Sequence, residues 1–325
     1  MHDVIKVSAL TITASLLAAC SGGASGVNGT LPNTGSPSAT GQDRLRMTSI
    51  FTAVGENGAT IHVFPTREVV SRYRALQRAI PFGKPTHGSA NLTYRGGPVE
   101  TAPKIYVVFW GSAWTGSGDP DGVATILKNW YSTMGGSKWL NSTTQYTQSN
   151  GAHVGNPTGQ FAGSYVDGSS SPPSSPTQTA LAAEAATAAA HFGVSGPNAS
   201  IVVALPTGIS PSGFKTQYCA YHSTTSGNGG TISWTNLPYL PDAGTSCGAG
   251  SVNSPGTTDG VTIVSGHEQG ETATDPQPNT GWLDGSGQEN GDKCAWTNLL
   301  NNPAAGGYPT QPLWSNATSS CVQSY

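Results

Sequence analysis

The segment DGVTIVSGHEQGETATD, residues 259–275, gathers His267, Glu268 and Glu271 into little more than one helical turn and ends at Asp275-Pro276. Charged residues are only 10% of the chain, so this concentration is a departure from its surroundings. The segment reads as a capped helix that Pro276 terminates. Working outward, KIYVVFWG (104–111) and ASIVVALP (199–206) are continuous apolar runs of the kind that form buried strands. YCAYHS (218–223) and TISWTNLPY (231–239) read as two further strands joined by a glycine-rich turn. Between them stand predicted helices. DGVATILKNWYSTM (121–134) has an Asp cap, and SPTQTALAAEAATAAAHFG (175–193) has Ser175 as cap, Pro176 in the first turn and Gly193 as stop. Strands alternating with helices place the chain in the α/β or α+β class, a mixed sheet with packed helices.

Lys and Arg number 14 against 17 Asp and Glu in 325 residues. That near balance gives no electrostatic case for a nucleic-acid partner, and a monomer is expected. Residues 4–19 are an apolar stretch ending in LAAC, Leu17 to Cys20, followed by SGGASG. This pattern predicts a lipoprotein signal peptide over 1–19, with the Cys20 thiol taking the lipid and tying the chain to the membrane of the bacterial cell envelope, outer membrane or cell surface. Residues 20–45, nearly all small or polar, predict a flexible tether. Residues 46–89 are expected to be an N-terminal arm or propeptide-like segment; within it TREVVSRYRALQRAI (66–80) places Val69, Val70, Tyr73, Leu76 and Ile80 on one helical stripe. The remaining domain is 90–325. With Cys20 set aside, four cysteines remain, and an even count in an exported protein predicts two disulfides. The sequential pairing, Cys219–Cys247 and Cys294–Cys321, is the one expected of the three connectivities, at about 3 kcal/mol each.

On a helix, His267 and Glu271 lie one turn apart and face the same way. An imidazole and a carboxylate so placed can share a Zn2+ ion, with Glu268 as general base beside them. This is the arrangement of H-E-x-x-H zinc hydrolases with Glu in place of the second His. A third ligand is needed. Asp275 lies about 12 Å along the axis from His267 and suits a C-terminal Asx turn or an outer acid. Glu289, in DGSGQENGDKCAW, is the third-ligand candidate, and Asp292 the partner that orients His267. A competing reading gives Asp284, Ser286, Glu289 and Asp292 to a Ca2+ ion and leaves His267 as a hydrogen-bonded core residue. His222 is a candidate oxyanion donor opposite the metal. Ser265 beside His267 has no G-x-S-x-G elbow to make it a nucleophile. His87, His153 and His191 carry no function in this reading. Trp282, Trp296 and Trp314 form a core or cleft wall, with a glycan-stacking surface as the alternative.

The order GGPVETAPKIYVVFWG, YCAYHS, SGHEQGETATDP, GWLDGSGQENGDKCAW and LWSNATSSC resembles a family of exported bacterial proteins with an H-E-x-x-E-x-x-x-D-P segment, G-W-x-D and G-x-E-x-G-D-x-C. LTYRGGPV, IYVVFWG and the final Trp314-to-Cys321 spacing are also similar to the plant EXORDIUM, or phosphate-induced, proteins. The bacterial likeness implies a zincin-like active-site helix with His267, Glu268, Glu271 and Glu289 carrying the site. The plant likeness implies an extracellular protein without assured catalysis. The expected function is a lipid-anchored zinc-dependent hydrolase, a metallopeptidase acting on a peptide or protein. The alternative is a non-catalytic cell-surface protein with structural calcium.

Overall fold

The computed structural model describes residues 45–79 and 91–325. The expected signal peptide, Cys20, most of the tether, Ile80 and His87 lie outside them. No described helix is long and apolar enough to cross a membrane.

The fold class is the expected one. In chain order the elements are β1 (Arg46–Met47), β2 (Thr52–Val54), β3 (Thr60–Pro65), α1 (Arg67–Ala79), β4 (Thr93–Tyr94), β5 (Lys104–Trp110), α2 (Val123–Met134), β6 (Phe161–Asp167), α3 (Gln178–Phe192), β7 (Ala199–Ala204), β8 (Tyr218–Gly227), β9 (Gly230–Leu237) and α4 (Asp259–Thr274). Eight strands form one mixed sheet in the order β1-β2-β3-β8-β9-β7-β5-β6. Its β9-β7-β5-β6 part is parallel, and the remaining pairs are antiparallel. Parallel neighbours need crossovers. Helix α2 links β5 to β6 and α3 links β6 to β7. The β8–β9 hairpin turns on Asn228 and Gly229, both at positive φ, which is the backbone a two-residue hairpin turn demands.

Alternation along the strands settles which helix covers which face. Tyr106, Ile201, Trp234 and Ser223 are successive register partners across β5, β7, β9 and β8. Tyr106 packs on Phe192 of α3, so that face belongs to α3. His222, one residue from Ser223, points the other way, toward α4. All sixteen residues of α4 are buried, making it the central helix of the second layer. Gly266 and Gly270 cost helix propensity, about 1 kcal/mol each relative to Ala. Their missing Cβ atoms are what lets the layer close. A Cβ on Gly266 would meet Trp130 at 3.0 Å and Trp139 at 3.1 Å, and one on Gly270 would meet Leu313 at 2.9 Å.

Several local expectations shift. Helix α2 starts at Val123 with Gly122 at its N-cap position; its first amides, Val123 (2.6 Å) and Ala124 (3.1 Å), donate to the Asp119 carboxylate, and the Tyr239 hydroxyl lies beside both Asp119 and Asp121. Thr177, not Ser175, caps α3 by accepting from the Ala180 amide, while Gly193 ends it in the left-handed conformation as expected. On α1 only Val70 of the predicted stripe is buried, and Leu76 is 57% exposed. The segment set apart as 46–89 supplies β1 to β3 of the main sheet, so a boundary at residue 90 falls inside one structural layer.

Both disulfides pair sequentially, Cys219–Cys247 and Cys294–Cys321. Each closes a loop of about thirty residues, worth about 3–4 kcal/mol in the chain-entropy account. The second secures the segment that follows α4. That segment includes β10 (Trp282–Leu283), which pairs with β4, and leads to β11 (Leu300–Asn302), β12 (Tyr308–Thr310), β13 (Leu313–Ser315) and β14 (Ser320–Val322). Trp282 and Trp314 belong to a smaller apolar cluster with Tyr146 and Val154, and Trp296 packs against the main core. Trp314 is therefore a core residue, and Trp282 and Trp296 are partly buried walls packed against the core.

A buried imidazole and carboxylate cluster as a candidate metal centre

Three elements meet at the site. The sheet contributes His62 on β3 and His222 on β8, which are direct register partners, so both project from the same face. Helix α4 contributes His267, Glu268 and Glu271. The segment after β10 contributes Glu289 and Asp292. All seven side chains are at most 1% exposed.

The Q-E-N-G-D sequence, 288–292, docks onto α4 residue by residue. Asn290 donates to the Gly270 carbonyl (2.7 Å) and to the Thr274 hydroxyl (2.9 Å). The Asp292 amide donates to Glu271 Oε1 (2.9 Å), and the Glu289 amide donates to Asp292 Oδ2 (3.0 Å). Lys293 pairs with Asp284 at 3.2 Å, which anchors the loop from its outer side. Asp284 is thereby committed to Lys293 and to the amides of Ser286 and Gln288. Glu289 and Asp292 face the histidines. Asp275 does not make the expected Asx turn, whose bond runs to the amide two residues on; its carboxylate closes the longer loop after α4, accepting from the amides of Asn279, Thr280 and Gly281.

The imidazoles are held by carboxylates. His62 Nε2 lies 2.5 Å from Asp292 Oδ2, and its Nδ1 lies 3.1 Å from Glu289 Oε1. His222 Nδ1 lies 3.1 Å from Glu268 Oε2 and 3.9 Å from Glu271 Oε2, and its Nε2 lies 3.6 Å from Glu289 Oε1. His267 Nε2 lies 3.1 Å from Glu271 Oε1 and 3.9 Å from Asp292 Oδ1. The ring of His267 stacks on Phe64 at 3.7 Å between centroids, and Phe64 stacks in turn on Trp296. Gln311 donates to the Gly291 carbonyl (2.9 Å) and faces His267 Nδ1 at 3.0 Å.

Burial sets the electrostatics. It pushes the carboxyls of Glu268, Glu271 and Glu289 well above the usual range, and the neighbouring acids add to the effect: Glu271 and Asp292 at Glu268, Asp292 at Glu271, and Asp275 and Glu271 at Glu289. Burial also lowers His267, to about 3, and takes His222 well below its ordinary value, with His62 and His267 contributing repulsion there. At His62 burial acts downward too, but the charge of Asp292 and the hydrogen bond to it outweigh burial and hold the imidazole at about 9. Among the described residues, the ion-pair partners of Glu268, Glu271, Glu289 and Asp292 are histidines alone. Buried acids in this density need protons or a cation to neutralise them.

Donor chemistry fits a cation. Three sets offer ligand atoms within 4.8 Å of one another: His62, Glu271 and Glu289; His222, Glu268 and Glu271; and His267, Glu271 and Asp292. Eight atoms facing this space, among them His62 Nδ1, His222 Nε2, Glu271 Oε2 and both Glu289 oxygens, have no hydrogen-bond partner. Buried polar atoms rarely stay unpaired, and here they share one location. The mixture of imidazole and carboxylate suits zinc and similar first-row ions better than calcium.

The structure brings together His267, Glu268 and Glu271 of the His-Glu segment with Glu289, Asp292 and His222, while the Asp275 carboxylate is bound to the loop amides after α4. His62 was missed. In TIHVF it is one histidine in a short apolar strand, and no local spacing marks it. Gln311 was missed as well, as was Glu100, a buried acid outside the cluster that ties the chain before β5 to α4. Glu100 accepts from Ser200 (2.5 Å) and Gln269 (2.8 Å), and burial raises its carboxyl from 4.5 to about 8 against those hydrogen bonds. The unfolded chain loses this proton above about pH 4.5, while the folded chain keeps it to about 8. Stability from this group is therefore complete below pH 4.5 and declines as pH rises toward 8. Urea titrations of the wild type and Glu100→Gln should show a smaller loss of stability between pH 5 and 8 in the variant; parallel pH profiles would refute the assignment. Ser265 donates to the Val261 carbonyl within its own helix and is not poised as a nucleophile.

Comparison with protein-family models, curated proteins and solved structures gives no match to this chain. Function is read from the site itself.

Proposed function

We propose that this chain is an exported, lipid-anchored metal-dependent hydrolase, with zinc as the ion and a peptide bond as the leading substrate class. The observation that carries the reading is the convergence of partnerless imidazole nitrogens and carboxylate oxygens on one buried point between the sheet and α4. Such an ion supplies a Lewis acid that acidifies water and polarises a carbonyl. His62, His222, His267, Glu271, Glu289 and Asp292 are the side chains available to hold and orient it. Glu268 is the remaining acid. Its Oε2 faces His222 Nδ1 and its Oε1 has no partner. Oε1 is the oxygen placed to take a proton from an attacking water, and His222 holds the carboxylate in position.

A second reading has a specific observation in its favour. Every member of the cluster is at most 1% exposed, and closed sites are characteristic of structural metals. In that reading the chain is a non-catalytic surface protein of the EXORDIUM type, stabilised by its ion. Glu268→Gln separates the two. With zinc-loaded protein and a mixture of fluorogenic peptides, the hydrolase reading expects a fall in kcat of at least about 100-fold, with zinc content unchanged. Full turnover in Glu268→Gln would remove Glu268 from the mechanism. A wild type that holds zinc and shows no zinc-dependent turnover favours the structural reading.

A further inference from the structure

Resting on the metal-centre reading above, we infer that the nitrogen ligands are His62 and His222, on adjacent strands, and that the helix histidine His267 is not a ligand. Each imidazole has two nitrogens, and what one of them bonds decides what the other can do. His62 has Nε2 on Asp292 Oδ2 at 2.5 Å. His222 has Nδ1 on Glu268 Oε2 at 3.1 Å. Both are carboxylate–histidine pairs, the arrangement that orients a metal-ligating histidine and turns its far nitrogen to the ion; at His62, which its acidic neighbours keep charged, the ion would take the place of the Nδ1 proton. The far nitrogens, His62 Nδ1 and His222 Nε2, have no hydrogen-bond partner and approach the same oxygen, Glu289 Oε1, at 3.1 and 3.6 Å. Ligand atoms of a tetrahedral zinc ion stand about 3.3 Å apart, so these separations are already those of a coordination shell.

His267 is held the opposite way. Gln311 Nε2 has two hydrogens. One goes to the Gly291 carbonyl, which can only accept, and this fixes the orientation of the amide. The Trp296 amide, 3.4 Å from Gln311 Oε1, agrees with that orientation. The second hydrogen faces His267 Nδ1, which must therefore accept. The neutral ring then carries its hydrogen on Nε2, the nitrogen that faces Glu271 Oε1 at 3.1 Å and the cluster. A protonated Nε2 has no lone pair for a metal. Glu271 Oε1 is further engaged by the Asp292 amide, which leaves Oε2 as its free oxygen. Since His62 Nδ1 and His222 Nε2 converge on Glu289 Oε1, the ligands are His62 Nδ1, His222 Nε2 and Glu289, and Glu271, which groups with His62 and Glu289, borders the position left open. His267 Nε2, like the far nitrogens of His62 and His222, has no hydrogen-bond partner, but its hydrogen keeps it from the ion; His267 is a positioning residue packed beside Glu271, with its ring stacked on Phe64.

Zinc content and affinity of the purified full chain and of His62→Gln, His222→Gln and His267→Gln test the assignment. We expect His62→Gln and His222→Gln each to weaken zinc binding by at least about 100-fold and His267→Gln to keep the wild-type stoichiometry. Loss of zinc on His267→Gln with retention on His62→Gln would overturn it. Should a variant fold poorly, the wild type suffices. In the 113Cd-loaded, 15N-histidine-labelled chain, cadmium coupling should appear at one Nδ1 and one Nε2 belonging to two histidines, and a third histidine should carry its hydrogen on Nε2. Coupling to a single histidine would overturn the ligand set, leaving the metal-centre reading standing. A wild type that binds neither zinc nor cadmium would defeat both.

Discussion

Stripping the divalent ion from the purified chain with a chelator at pH 7 should lower its thermal unfolding midpoint by roughly 10 °C. Two arguments give this size. A ligand that binds only the folded state at about 1,000 times its Kd adds about 4 kcal/mol. Breaking a buried charge pairing costs about 3–5 kcal/mol, because the remaining partners stay desolvated. For a domain of this size each kcal/mol moves the midpoint by about 2–4 °C. The cost falls on named groups. Glu268, Glu271 and Glu289 are buried and face one another, and without the ion they avoid their mutual repulsion only by taking up protons, as their raised pKa values express. Metal binding must displace those protons, so zinc affinity should weaken as pH falls. Differential scanning calorimetry before and after chelation, with zinc restored as the control, reads the effect. A midpoint that does not move would mean that protons and histidines alone neutralise the cluster.

Replacing Gly291 with Ala should weaken zinc binding by at least about 10-fold and destabilise the fold by about 1–3 kcal/mol. Gly291 has helical dihedrals, φ −74° and ψ −42°, so alanine meets no backbone strain there. The obstacle is space. Its Cβ would lie 2.7 Å from His267 Nδ1 and 2.9 Å from Glu271 Oε1. Neither neighbour can withdraw freely, since His267 is stacked on Phe64 and Glu271 is held by the Asp292 amide. The loop 288–292 would have to lift from α4, taking Glu289 and Asp292 with it. Gly285, in the same loop, has open space around the same position, so Gly285→Ala is the control. Equal zinc affinity in the two variants would show that close docking of the loop does not build the site.

What could be read from the sequence is what local chemistry encodes. The central helix, the β8–β9 hairpin, the buried strands β5 and β7 and both disulfides follow from apolar runs, turn residues and cysteine order. The starts of α2 and α3 were misplaced by about two residues because several oxygen-bearing side chains stand near each one, and tertiary contacts choose among them. The Tyr239 hydroxyl lies beside both Asp119 and Asp121, and it is the Asp119 carboxylate that reaches the first amides of α2. His62 was invisible for a different reason. Its partner His222 is joined to it by antiparallel pairing across most of the fold, and no spacing in the chain records that pairing. The two helix glycines read as weaknesses, but the tryptophans and Leu313 that fill their places come from elsewhere in the sequence. His222 was picked out, though as an oxyanion donor; the structure places both of its nitrogens against carboxylates.

Elemental analysis of the purified chain, with native mass spectrometry to fix stoichiometry, bears most directly on the claim that the cluster is a metal centre. One divalent ion per folded chain, released by chelation and regained on adding zinc, is the predicted result. A folded chain that carries no divalent ion and takes up neither zinc nor calcium would contradict it.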